Sequence, residues 1–325
     1  MELSSRGCGS VNQPRTPVIL DVDTGIDDAL ALTLAVRSPG CDLVAVTTLA
    51  GNSDVERTTA NTLAVLDWIG AEEVPVHRGA SRPLVRPRHG AAYFHGLDGL
   101  GNAGLPASSR TVAASRGPAA IVQLANARPK ELTLVCVGPL TNLAIALNVE
   151  PNLPHLLRSV VVMGGAYRVP GNVTPLAEFN IFEDPEAADQ VMLASFPDLT
   201  LVGLDVTHQT SLPIGVWEQL TVPQGADGHD PVGQLVAKVC REAFTIRGLT
   251  RFHLHDPLAL AVALDPSLLS TELVAVSVDL LGDQRGRTNI EGAGSTNIGV
   301  AVDAERFVAG FVQTLGLPGS TSAAG

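Results

Sequence analysis

An open, mostly parallel, doubly wound α/β sheet flanked by helices is the fold this 325-residue chain predicts. Three observations point to it. Runs rich in Val, Leu and Ile recur along the chain: TPVILDVD, DLVAVTTLAGN, LTLVCVG, SVVVMGG, LTLVGLDVT and ELVAVSVDL. Their near-continuous apolar content is that of strands covered on both faces. Helical patterns fall between them, at 55–69, 117–127, 141–147 and 185–194, and this alternation implies a mainly parallel sheet. Hydrophobic residues make up 45% of the chain and charged residues 17%, enough apolar side chain for a large core.

No charge run, low-complexity linker or internal repeat divides the sequence. One domain is therefore expected over 17–316, with a disordered tail at 1–16 and a flexible C-terminal tail at 317–325. The start, MELSSRGCGSVNQPR, has no apolar signal-peptide core, and no apolar run approaches the ~20 residues of a membrane span. A cytoplasmic protein is expected. Lys and Arg total 21 against 33 Asp and Glu, a formal charge of -12, which disfavours nucleic acid and anionic membranes and leaves a small molecule as the expected partner. The four cysteines, Cys8, Cys41, Cys136 and Cys240, lack CxxC spacing and read as reduced thiols, with Cys8 in the polar tail.

The first apolar run ends in the densest chemistry of the chain. VILDVDTGIDDALALTL, at 18–34, is a strand that finishes in carboxylates, turns at Gly25 and reopens as a helix with Asp27 and Asp28 in its first turn. Side chains alternate along a strand, so Asp21 and Asp23 share a face. Helix-start chemistry explains one acidic pair, because the helix dipole favours carboxylates there. It does not offset all four. A hard cation such as Ca²⁺ suits all-carboxylate ligands with no Cys or His nearby. The segment has no GxGxxG and no P-loop pattern, so a polyphosphate is not the expected ligand.

Ligands of such sheets bind beyond the carboxyl ends of the strands. Reading onward, those positions hold Gly51 and Asn52, the GPLTN stretch from Gly138 to Asn142, Gly164 and Gly165, and Asp205. Thr141 reads as a helix N-cap and Asn142 as a brace of the turn, while Asn52 suits a turn or a ligand contact equally. The backbone carbonyl of Val137 points out of a strand end and is open to a hard metal. The polar stretch 82–115, rich in Gly, Pro and Ser, reads as a long surface loop of the kind that forms lids.

After MGG, a loop carries Asn172 and then the EFN triplet of Glu178, Phe179 and Asn180. Amides and a carboxylate together suit a ligand with several neutral hydroxyls, although helix capping explains EFN as well. In LHDPLALAVALDP, Pro257 at the first helical position leaves Asp256 as the natural N-cap. Beside the acidic strand end, the pair gains a second meaning: Asp256 is a further carboxylate for a cation, and His255 an imidazole suited to proton transfer.

DVDTGIDDALAL, AGN, VGPLTN, MGG, GNVTPLAEFNIFEDPEAA and LHDPLA occur together in one order, which resembles that of nucleoside hydrolases, the inosine-uridine preferring type especially. The end of the chain, TNIGVAVDAERFVAGFVQTL, also resembles that family's last helix region. The resemblance implies an open, Rossmann-like α/β core with Ca²⁺ at the bottom of the active site. It implies that Asp23, Asp28, Asp256 and the Val137 carbonyl hold the ion, with Asp23 also the general base. Asp27, Asn52, Asn172, Glu178 and Asn180 match positions that grip ribose hydroxyls, and Met163 would lie against the sugar. His255 matches the leaving-group histidine and His95 a histidine near the base. The segment 241–253, REAFTIRGLTRFH, lacks a tyrosine found in several relatives, leaving Arg247 or Arg251 as substitutes for base contact. A homodimer or homotetramer acting on a small ribonucleoside is implied.

The residues fit that chemistry independently of the family. Cleaving an N-glycosidic bond builds positive charge on the sugar, which carboxylates beneath the ring and hydroxyl-gripping amides stabilise. A phosphorylase would have to bring phosphate into an acidic site with no evident Arg or Gly cradle, so hydrolysis is preferred. The alternatives are a Ca²⁺-dependent ribose- or nucleoside-binding protein without turnover, and a hydrolase of another N-riboside such as nicotinamide riboside.

Overall fold

A computed structural model describes residues 15–222 and 230–319. The first fourteen residues, with Cys8, and the end of the C-terminal tail lie outside them. Nine strands form one sheet in the order β10-β9-β11-β6-β5-β4-β1-β2-β3. They are β1 (Thr16–Val22), β2 (Cys41–Thr48), β3 (Val76–Arg78), β4 (Thr133–Cys136), β5 (Ser159–Met163), β6 (Leu199–Val202), β9 (Leu269–Val278), β10 (Thr288–Ala293) and β11 (Thr296–Val302). The run from β3 to β11 is parallel, and β9 is antiparallel to both its neighbours. A separate antiparallel pair joins β7 (Ser211–Pro213) to β8 (Arg251–His253).

Each central strand divides its side chains between two cores. Val18, Leu20 and Val22 of β1 enter one hydrophobic cluster and Ile19 the other; Val161 and Met163 of β5 enter the first, Val160 and Val162 the second. That is why these runs are continuously apolar. The strand expected from ELVAVSVDL departs from this pattern. Near the edge of the sheet, β9 is exposed along residues 270–273 and alternates only afterwards, as an antiparallel strand with one wet face does. The run LTLVGLDVT likewise stops being a strand at Val202, and a helical turn, Leu204–Thr207, follows.

The four sequence-read helices appear as Val55–Trp68, Gly117–Ala127, Thr141–Val149 and Pro185–Leu193. Two local roles differ from expectation. Thr141 is not the N-cap; Leu140 is, and the Thr141 hydroxyl donates to Asp184 Oδ2 at 2.6 Å. The helix His255–Leu264 starts before Asp256, which therefore sits inside the first turn. The stretch 82–115 is mostly irregular with one helical turn, Ala92–His95, but it is anchored. Asp184 accepts the Leu84 N–H, Glu183 accepts those of His89 and Gly90, and Arg86 pairs with Glu186 at 2.8 Å.

Strand order reverses between β1 and β4, because β2 and β3 lie on one side of β1 and β5 and β6 on the other side of β4. The carboxyl ends at this switch point carry Asp23 and Val137. Behind them, Asn142 braces the turn as expected. Its Nδ2 donates to Asp21 Oδ1 at 2.7 Å and to the Thr48 carbonyl at 3.1 Å, while its Oδ1 accepts the Ala80 N–H at 2.9 Å. Asp21 also accepts from Thr47, so it belongs to this structural network. Burial raises its pKa to about 7.

Asn142→Ala strands these buried partners and is expected to cost about 2–4 kcal/mol, read as a lower urea midpoint. Asn148→Ala, on the exposed end of the same helix, should stay within about 0.5 kcal/mol.

Candidate active site

The end of β1 delivers Asp23 into a site that admits no larger neighbours. A Cβ on Gly51 would overlap Asp23 Oδ2, and one on Gly138 would lie 2.7 Å from Oδ1. Glycine at both positions lets two turns close around one carboxylate. Asp23 Oδ2 accepts the Asn52 N–H at 2.6 Å, while Oδ1 is buried with no hydrogen-bond partner. Asp28 caps its own helix from within, accepting the N–H groups of Asp23 at 3.1 Å and Gly25 at 2.9 Å.

Asp256 arrives from the start of the His255–Leu264 helix. Among the described residues, Asp27, Asp28 and Asp256 offer oxygens all within 4.8 Å of one another. Burial, reinforced by Asp28, raises Asp27 to about 7, and burial raises Asp28 to about 6. Burial and the surrounding carboxylates push Asp23 and Asp256 up as well. So many buried acids repel one another, and the orphan oxygen of Asp23 lacks a donor. Both features fit a divalent cation bound by hard oxygen ligands. The Val137 carbonyl borders the group and accepts from Asn180 Nδ2 at 2.8 Å.

Above the acids opens a cavity of about 430 Å³. Its polar rim holds Asp27, Asn52, Asn172, Glu178 and Asn180, and Met163 contributes to its lining. Glu178 both lines the cavity and caps the helix Phe179–Glu183, accepting N–H groups of Asn180, Ile181 and Gly165. The capping and pocket readings of EFN are therefore one geometry. Asn172 Oδ1 accepts the Phe179 N–H at 2.9 Å, which ties its loop to the same helix.

Another part of the lining is aromatic and imidazole-rich. His255 Nδ1 lies 2.8 Å from Thr207 Oγ1; burial first, then His253, His208 and His95, lower its pKa to about 3. His95 Nδ1 accepts the Ile26 N–H at 3.0 Å, so its proton is on Nε2, and burial with Arg247 nearby lowers it to about 3. Both rings are neutral at pH 7. Arg251 lines this wall, but Arg247 does not: its guanidinium donates to the carbonyls of Tyr93 and Phe94 and lies 4.7 Å over the Phe94 ring. Arg247 thus clamps the helical turn that carries His95.

His208, His253, Phe94 and Phe252 also line the cavity, and sequence reasoning passed over them. The rings of His208, His253 and His255 lie 5.1–5.8 Å apart. A signal existed for one of them: in RFHLHDP, His253 lies only two residues before His255, at the end of β8 just ahead of the helix that His255 opens. His208 follows a helical turn whose sequence resembles a strand, which concealed it.

Comparison with known proteins agrees with this geometry. The family described as inosine-uridine preferring nucleoside hydrolase matches residues 18–309. An inosine-uridine preferring nucleoside hydrolase of Leishmania major is 38% identical over 269 residues, covering 82% of this chain and 84% of that protein. A pyrimidine-specific ribonucleoside hydrolase of Shewanella woodyi is 37% identical, covering 92% of this chain and 96% of its own. Among solved structures, a plant nucleoside hydrolase superposes with a TM-score of 0.85 at 32% identity, covering 94% of this chain and 100% of that one. A purine-preferring ribonucleoside hydrolase from Gardnerella vaginalis gives 0.83 at 33% identity, covering 92% and 98%. The chain belongs to the inosine-uridine preferring nucleoside hydrolase family and is an N-glycosyl hydrolase.

A divalent cation at a hundredfold excess over its Kd should raise the thermal midpoint of chelator-treated protein by about 4 °C or more. The carboxylates must lose protons to bind it, so with Asp27 near 7 and Asp28 near 6 the apparent affinity falls as pH drops from 8 to 5.5. Titration calorimetry at both pH values checks this; equal affinities would place the ion elsewhere.

Proposed function

We propose that this nucleoside hydrolase uses Ca²⁺ and water to split the N-glycosidic bond of ribonucleosides into ribose and free base. The observation that carries the reading is the convergence of buried acids, one with an orphan oxygen, beneath a rim of amides and a carboxylate. Bound Ca²⁺ supplies Lewis acidity to a water and orients neighbouring hydroxyls, and Asp23, Asp28, Asp256 and the Val137 carbonyl are its proposed ligands.

Asp23 accepts the proton of the attacking water. The Asn52 N–H fixes the orientation of the Asp23 carboxylate through Oδ2. Asp27, Asn52, Asn172, Glu178 and Asn180 hold the ribose hydroxyls, and Met163 packs against the ring. Positive charge growing on the sugar meets the negative floor of the pocket, which lowers the barrier electrostatically.

Within the same lining, Phe94 and Phe252, with ring centroids 6.2 Å apart, offer an apolar wall to the base, and His95 presents an Nε2–H to its acceptors. His255 protonates the departing base. Negative charge building on the base offsets the burial and imidazole repulsion that keep His255 neutral in the free protein, so His255 takes up a proton from solvent water and passes it to the ring nitrogen of the base, which leaves neutral. The two-ring wall makes no demand that separates a purine from a pyrimidine, and relatives of both preferences share the fold.

Reducing-sugar release from inosine, uridine, cytidine, adenosine, guanosine, nicotinamide riboside and 2′-deoxyinosine, in phosphate-free buffer, tests the reading. Ribosides should be cleaved in a chelator-sensitive, Ca²⁺-restored manner, with the deoxy substrate poor. Asp23→Asn is expected to lower kcat by about 10²–10⁴-fold while nucleoside still binds; unchanged turnover would remove Asp23 as base. His255→Ala should slow nucleosides far more than p-nitrophenyl riboside, and an equal loss on both would remove it from the acid role.

A further inference from the structure

A second cavity, of about 580 Å³, shares no lining residue with the acidic pocket. Its chemistry is opposite in sign to the chain as a whole. In a protein of formal charge -12, it is lined by Arg78, Arg82 and Arg116 against one acid, Glu56. Three positive charges against one leave a local excess of two.

These arginines are not consumed by the fold. The side chains of Arg82 and Arg116 make no hydrogen bond or ion pair with a described residue. Arg78 approaches Glu56 only at 3.5 Å, on an acid 67% exposed, and its Nε is buried with no acceptor. That ion pair is long and exposed, so it contributes little and leaves the Arg78 guanidinium open to a stronger acceptor. The helix Gly117–Ala127 also begins here, and its N-cap Arg116 provides no capping side chain. Guanidinium groups and a helix N-terminus together match the planar, multidentate demands of a phosphate. The rest of the lining includes the exposed Leu84 and the half-buried Ile145, an apolar surface for a flat body attached to the anion.

We infer that this cavity binds a phosphomonoester of mononucleotide size, with its phosphate at Arg78, Arg82 and Arg116 and its apolar body against Leu84 and Ile145. The volume falls within the range of small-molecule sites. The site is also mechanically linked to the acidic pocket. Ala80, in its wall, accepts the Ala50 N–H at 2.9 Å and donates to Asn142 at 2.9 Å, and Ala50 leads directly into Gly51 and Asn52.

Equilibrium dialysis of radiolabelled uridine 5′-monophosphate against the intact, metal-loaded chain tests the inference. Binding should be saturable, weaken as salt rises, survive chelation of the metal, and fall at least tenfold in the Arg82→Ala/Arg116→Ala double variant. That variant should keep its thermal midpoint and its nucleoside kcat/KM within twofold, since neither arginine touches the acidic pocket. Inorganic phosphate should compete more weakly than the nucleotide. Absence of binding at millimolar concentration overturns the inference. So does binding that chelation abolishes and the double variant retains, which would place the nucleotide over the carboxylates. Inorganic phosphate binding as tightly as the nucleotide overturns the mononucleotide assignment in favour of a small-anion site.

Discussion

Mutual repulsion among buried carboxylates at the end of β1 is the constraint around which the rest of the structure is arranged. Water would screen it, but the site lies at the inner edge of a two-core sheet, where burial raises every one of these acids. The fold answers with donors where geometry allows. Backbone N–H groups of Asp23, Gly25 and Asn52 turn inward, and the glycines at 51 and 138 let them approach. What these donors leave unmet is charge, which is the demand a cation satisfies.

Not all the acids of the first motif serve the same end. Asp21 and Asp23 are two residues apart, yet Asp21 is tied to Thr47 and Asn142 while Asp23 keeps a buried oxygen with no hydrogen-bond partner. One carboxylate therefore stiffens the platform on which the other works. Periodicity placed both on one face, and nothing in the sequence alone separates them, because the difference lies in what the second strand and the helix after the fourth bring alongside.

The sheet was legible because its central strands are buried on both faces and read as unbroken apolar runs. The edge was less so: β9 alternates only in part, and β10 and β11 carry Gly, Asn and Thr where the core strands carry Val. Within the site, residues immediately following strands were legible, since the switch point of an open sheet dictates where to look. The imidazole wall was not. His208 and His253 come from a short turn and a two-stranded annex, joined to the site by tertiary packing that leaves no periodic trace. Arg247 shows the same limit: its charge suggested a ligand contact, whereas its donors hold the carbonyls of the turn bearing His95.

Asn52 occupies an unusual junction in this arrangement. Its N–H is given to Asp23, and its carbonyl receives the N–H of Ala91, the residue at which the long surface segment turns into the helix carrying His95. Two successive peptide groups thus join the floor of the cavity to its roof. Lifting the roof would pull on the residue that fixes the carboxylate's orientation, and settling it would restore that orientation. Any movement of the segment above the cavity and the orientation of the Asp23 carboxylate are in this way coupled through a single residue.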